Sequence, residues 1–344
     1  MKSNCKHRDE NRFLRFIKLF ILFISFFPNV FSQDIHFTLF NNAPLFLNPA
    51  NTGNFEGNWR ITGAYRDQWR AVSDPFTTAT ISFDMNFFIK GHKIDGGIFI
   101  INDNSGSAGL MKNELFLSAA YEKSVGKNIF RAGLQAGYAY HTFGKGNYSY
   151  PSGWNREEGR FTGNNNPSEK KGYADINIGA LWGTSINKFE PEAGFSLSHI
   201  NYPNESFYNS DKERLHMRYN IHGRVKANIS DNLYFYPSVV YVTRQSANAM
   251  VTGTDIGFSN FGNRSAVKVL SAGIYLRNGL QNSPDAVSIT GGATVGRVDI
   301  SVCYDYNISG LKKASGNQGA FEISFGYRSI STLLNSYSIP CERF

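Results

Sequence analysis

Basic side chains recur at every second position along one stretch of the chain. His216, Arg218, His222, Arg224 and Lys226 share one parity, the spacing of residues on a single face of a β-strand. Such a row either draws anions to a wall or pairs with acids on neighbouring strands. Asp299, Asp305 and Glu322 are candidate partners, and pairing is preferred because polar barrel interiors commonly hold such ladders. His216 and His222 do not share a metal unaided, since six residues of strand separate them by roughly 20 Å. No nucleophile elbow, H-E-x-x-H helix or Walker loop occurs in the chain, so the sequence offers no catalytic, metal-binding or cofactor-binding residues. Glu157 and Glu158, within a Gly/Asn-rich stretch, read as solvated loop.

A row of this kind needs a strand with two unlike faces. Over 215–229, Leu215, Met217, Tyr219, Ile221, Val225, Ala227 and Ile229 oppose the basic row, interrupted by Gly223. A sandwich strand rarely runs this long with every second side chain strongly polar. A tilted strand between lipid and a wet lumen does so naturally. Composition agrees. Charged residues are 18% and aromatics 15% of the 344 residues. That is too little charge and too much aromatic surface for a disordered chain, and the mean hydropathy of −0.32 excludes a bundle of spanning helices.

Alternation marks about fourteen strands, near 58–66, 76–87, 93–101, 113–122, 129–141, 173–183, 189–199, 215–229, 233–243, 248–257, 266–276, 286–293, 298–307 and 319–328. The pattern is weakest at 248–257 and 286–293. The fold expected is all-β: an outer-membrane barrel of antiparallel strands over 58–328. An even strand number returns the chain to the side where it began. The longest connections, 142–172 and 200–214, then fall outside the cell, and both termini fall in the periplasm.

Residues 1–32 have the build of a secretory signal. Six basic residues precede or flank an apolar run, Leu19 to Phe27, that is too short to span a bilayer. Cleavage is expected before Gln33. No cysteine follows the run, which argues against a lipoprotein. The segment carries six basic and two acidic residues, so the net charge falls from +8 to +4 on its removal. The basic balance is therefore no footprint of nucleic-acid binding. Cys303 and Cys341 remain. A bond between them is compatible with an oxidising compartment, but two cysteines make neither a framework nor a metal site.

Two stretches fit no strand. Residues 33–57 combine Asn and Pro with the apolar anchors Phe37, Phe40, Leu45, Phe46 and Leu47, and either plug the lumen or lie beneath the barrel. Residues 329–344 end in Phe344. A terminal aromatic is a common insertion signal, but its place beyond the last strand reads as a periplasmic contact peptide.

Three stretches together resemble the PorP/SprF family of Bacteroidetes outer-membrane proteins. In 33–69 the matching positions include Phe37, Pro44, Asn48, Pro49, Gly53, Tyr65, Arg66, Gln68 and Trp69; in 304–328 they include Asp305, Asn307 and Glu322; and the ending Pro340-Cys341-Glu342-Arg343-Phe344 is similar to the family's tail. Leu39 and Glu342 depart from the residues usual there. The resemblance implies a non-enzymatic barrel of the type IX secretion and gliding machinery. It would assist export or surface anchoring of a cargo protein with a C-terminal sorting domain. Its other partners would be outer-membrane lipids and the peptidoglycan-binding or ring components of the machine in the periplasm. Two other readings compete. One is a transport channel of the fatty-acid-transporter type for small hydrophobic or anionic solutes, which the basic row disfavours. The other is an outer-membrane lipid hydrolase, which needs a Ser-His pair the sequence does not reveal.

Overall fold

The computed structural model describes residues 37–331, apart from 73, 106–108, 143–153, 162–169, 208–213, 246, 260–264, 280–282 and 311. The expected signal segment 1–32 and most of the tail, with Cys341 and Phe344, lie outside the described residues. The strands are β1 (Trp59–Gln68), β2 (Phe76–Ile89), β3 (His92–Ser105), β4 (Leu110–Val125), β5 (Asn128–Thr142), β6 (Trp154–Asn155), β7 (Arg160–Phe161), β8 (Lys170–Thr184), β9 (Phe189–Ser198), β10 (Arg218–Asn228), β11 (Leu233–Arg244), β12 (Ala247–Phe258), β13 (Val267–Asn278), β14 (Pro284–Val295), β15 (Val298–Asn307) and β16 (Gln318–Arg328). β6 and β7 form a small hairpin within the longest connection. The other fourteen make one closed antiparallel barrel, in which β1 pairs with both β2 and β16.

The period-two pattern explains the two surfaces. Ile81, Phe83, Leu117, Ile221, Ile274 and Ile289 point outward and are exposed, whereas Ser82, Asp84, Ser118, Asn220, His222 and Ser288 alternate with them and are buried inside. Closure leaves no strand edge unpaired, the condition for crossing a bilayer with sheet. No helix among the described residues is long and apolar enough to cross a membrane. The segments with the weakest alternation, 248–257 and 286–293, fall within β12 and β14.

The strand in the 215–229 segment is shorter than its alternation. β10 starts at Arg218. Leu215 is buried, not lipid-facing, and packs with Ala139 and Tyr173. The Leu215 N–H donates to the Pro203 carbonyl at 2.8 Å, so the chain folds over the rim before it enters the wall. The polar–apolar alternation runs on past the end of the strand, and alternation alone cannot locate that end.

Connections at the end bearing Trp59 and Arg328 are mostly tight. β2 and β3 are joined by Lys90 and Gly91 alone, both at positive φ (52° and 82°), the conformation whose twist matches a two-residue hairpin. The strands β5 and β8, and β9 and β10, are joined at the opposite end. Among the exceptions are 106–109 and 245–246, short at the long-loop end, and 259–266, long at the other.

Fourteen strands enclose more space than their own side chains fill, because a barrel of about eight strands is already filled by side chains. Here the chain preceding β1 occupies that space. Phe40 and Leu47 pack on Val240, Val251 and Tyr275 of β11, β12 and β13. Leu45 packs on Phe99, Ile101 and Phe116 of β3 and β4, and Phe37 and Ala43 on Ala64 of β1. Contacts on so many walls place residues 37–53 inside the lumen.

Candidate functional site: the luminal segment and its wall

The segment is short of regular structure, so its backbone groups need partners from outside it. It has one helical turn, Pro44–Leu47, between the 3-10 turns Phe40–Asn42 and Pro49–Asn51. Two tiers of buried ions and a central asparagine supply many of the missing partners.

The upper tier lies toward the long loops. The Glu322 carboxylate of β16 accepts from the backbone N–H of Thr38 and of Leu39, each at 2.8 Å. It is also ion-paired with Arg66 of β1. Arg66 reaches Asp305 of β15 at 3.0 Å, and Asp305 accepts from Thr38 Oγ1 at 3.2 Å and from Ser288 Oγ at 2.5 Å. Arg277 of β13 completes the tier, pairing with Asp305 and, at 2.7 Å, with Asp285. Arg66, Asp305 and Glu322 are all at least 98% buried. A buried charge is tolerated when its remaining hydrogen bonds are met, and the segment's own N–H groups help to meet them.

The lower tier lies toward the tight turns. Gly53 N–H donates to Asp84 at 2.8 Å, and Asp84 pairs with Arg60 at 2.6 Å. Arg60 donates to the Asn51 carbonyl at 3.2 Å, Arg131 to the Ala50 carbonyl at 3.0 Å and also to the Thr52 carbonyl, and Lys93 to the Gly53 carbonyl at 3.3 Å. Four successive carbonyls leaving a 3-10 turn thus meet cations, which suits the negative end of a helical turn. Arg131 is balanced by Asp95 and Glu122.

Between the tiers, Asn48 is fully buried. Its Oδ1 accepts from Ala50 N–H at 2.9 Å. Its Nδ2 donates to the carbonyls of Ala180 and Phe195, at 3.0 and 3.2 Å, and lies 3.1 Å from His222 Nε2. The wall is bare opposite this turn. Gly133 and Gly179 face each other across β5 and β8. A Cβ on Gly133 would run into the Pro49–Ala50 peptide, and one on Gly179 into Asn48. Gly53 sits at φ 69° with a Cβ position inside Asp95, so a side chain is excluded there twice over.

The basic row is dispersed. Arg218 lies over the Phe46 ring at 5.2 Å and donates to Ser198 Oγ at 3.3 Å. His222 meets Asn48. Arg224 pairs with Glu192 at 2.6 Å. Lys226 lies 5.8 Å from the Tyr234 ring. His216 is exposed ahead of the strand. The acids expected to pair with the row lie elsewhere: Asp305 and Glu322 serve Arg66 and Arg277, and Asp299 pairs with Arg328 at 2.9 Å. The reason is distance around the wall. The neighbours of β10 are β9 and β11, whereas Asp299, Asp305 and Glu322 stand on β15 and β16.

Of the other motif positions, Pro44 opens the helical turn and its carbonyl accepts from Asn51 Nδ2 at 3.1 Å. Gln68 Oε1 accepts from Arg66 Nε at 3.3 Å. Asn307 Nδ2 donates to Ser315 Oγ at 3.0 Å. Tyr65 points outward, and Trp69, at φ 62°, meets Phe76 edge-on with centroids 5.2 Å apart. Cys303 is a free, buried thiol. Arg60, Asp84, Asp95, Arg131 and Arg277 carry as much of the site as any motif position. Alternation marks Arg60 and Asp84 as sharing the polar face of their strands, but only the register makes them partners.

Residues 29–327 match the family described as "Type IX secretion system membrane protein PorP/SprF". No curated protein matches the sequence. Among solved structures, the chain is similar to a Ralstonia pickettii toluene transporter, TbuX, with a TM-score of 0.50 and 11% identity, covering 84% of this chain and 94% of that one. It is similar also to CymD, described as a monoaromatic hydrocarbon channel, with a TM-score of 0.51 and 12% identity, covering 85% of this chain and 94% of that one. At such identities the likeness is one of fold, an outer-membrane barrel.

Proposed function

The chain belongs to the PorP/SprF family of type IX secretion system membrane proteins, and from that premise we propose that it is a plugged barrel that works by binding rather than by conduction or catalysis. It assists export or surface anchoring of a cargo protein with a C-terminal sorting domain. The observation that supports this reading is the tethering of residues 37–53 to walls all round the lumen by buried ions. A solute channel needs a continuous open path, and a segment bonded at both tiers stands across it. The loops 142–172 and 200–214 hold the cargo on the outer side. The tail 329–344 reaches periplasmic peptidoglycan-binding or ring components of the machine, with both termini on that side.

The test is an affinity pull-down of a tagged copy from cross-linked outer membrane, read by mass spectrometry. Expected is recovery of a surface protein with a sorting domain together with periplasmic machine components. Recovery of neither would overturn the reading. Deleting 332–344 tests the tail: periplasmic components should be lost while cargo stays, and unchanged capture of both would remove the tail from the binding surface.

A further inference from the structure

Beside the lower tier, toward the tight turns, the lumen is not filled. A cavity of about 460 Å³ opens there, bounded by Asn41 and Asn54 of the luminal segment and by Lys226, Tyr234, Tyr236 and Arg328 of the wall. A second cavity of about 350 Å³ adjoins it and shares Asn54, Arg224, Lys226 and Tyr236. Both lie at the end of the tight turns, since Arg328 closes β16 and Lys226 and Tyr234 flank the β10–β11 turn. The larger falls within the range of natural ligand pockets.

The charges around it are unequal in one respect. Arg60 is matched by Asp84, Arg224 by Glu192 and Arg328 by Asp299. Lys226 has no carboxylate within ion-pair distance among the described residues: its cross-strand neighbour on β9, Glu190, which also lines the second cavity, accepts instead from Asn228 Nδ2 at 3.3 Å, and Lys226 Nζ lies 5.8 Å from the Tyr234 ring. That ring lies flat on the wall where a Cβ on Gly257 would displace it. The result is a half-buried cation on the Tyr234 ring, in a cavity that Tyr236 also lines, together with the amides of Asn41 and Asn54, which already donate to Ser238 and to Glu192. A cation in so confined a place gains most from a ligand that brings a carboxylate. The tyrosine rings suit a peptide carrying an apolar or aromatic side chain next to that acid.

We propose that this pocket binds an acidic, aromatic-containing peptide segment of a periplasmic partner, with a carboxylate on Lys226 and an apolar side chain against Tyr234 and Tyr236. The periplasmic assignment rests on the orientation proposed above; the pocket's preference for an acidic peptide does not.

The test uses the full chain in detergent micelles and calorimetric titration with a capped hexapeptide alternating glutamate and phenylalanine. A lysine–phenylalanine hexapeptide serves as control. Expected is saturable one-site binding of the acidic peptide only, weakened by added salt. Lys226→Glu should weaken it by about tenfold or more and Lys226→Arg by less than about threefold, the difference of one charge-assisted contact. Retention of the native heat-shifted gel band identifies variants that have folded. Equal binding of both peptides, no saturable binding, or full affinity in a folded Lys226→Glu variant would each overturn the proposal. Because the measurement involves no cargo, its failure beside a successful pull-down would remove the pocket and leave the secretion reading in place.

Discussion

The backbone N–H of Thr38 donates to the carboxylate of Glu322 at 2.8 Å across 284 residues of sequence. The bond ties the start of the luminal segment to the last strand of the barrel, and the closing β1–β16 seam sets Arg66 opposite Glu322. Closure of the wall and seating of the segment therefore share a carboxylate.

Glu322→Ala should show this dependence. It leaves Arg66 with one carboxylate fewer and strands two buried N–H donors. A loss of about 3–5 kcal/mol is expected for breaking a buried pair of this kind, read as a lowered unfolding temperature of the purified barrel. Stability equal to the native protein would mean that the upper tier carries little of the fold.

Gly179→Val should displace the segment without touching a charge, because its side chain would occupy the place of Asn48. Cells carrying it should become sensitive to a large antibiotic that the outer membrane normally excludes. Gly310→Ala, where nothing lies within 4 Å of the added Cβ, should stay within about 0.5 kcal/mol of the parent and leave permeability unchanged.

Asn48→Asp tests the central anchor. The replacement turns an amide donor into a carboxylate facing the carbonyls of Ala180 and Phe195. Loss of the donor and burial of an unsatisfied group should cost about 2–3 kcal/mol, measured by denaturant unfolding in micelles. Asn48→Ala, which adds no charge, should cost less. The reverse order would show that cavity formation dominates at this site.

Much of the wall was legible from alternation, because each strand separates lipid from lumen and records that in every pair of residues. The polar faces carrying Arg60, Asp84, Arg66, Asp305 and Glu322 could be marked strand by strand. Their partners could not. Arg66 meets Glu322 only because the sheet closes, and Arg60 meets Asp84 only at one register. The same blindness sent the basic row to Asp299, Asp305 and Glu322, which lie several strands away around the wall. Leu215 and His216 keep the alternation going beyond the strand, so that its true start at Arg218 left no mark. Gly133 and Gly179 interrupt their strands without stating why; the reason is a turn from far upstream in the chain that passes against them.

The most direct test of the filled lumen is conductance in planar bilayers, comparing the native chain with one lacking residues 37–54. The native protein should insert without stable open steps, and the deletion should give large, persistent ones. Equal open conductance from the two would contradict a resident plug and restore the channel reading.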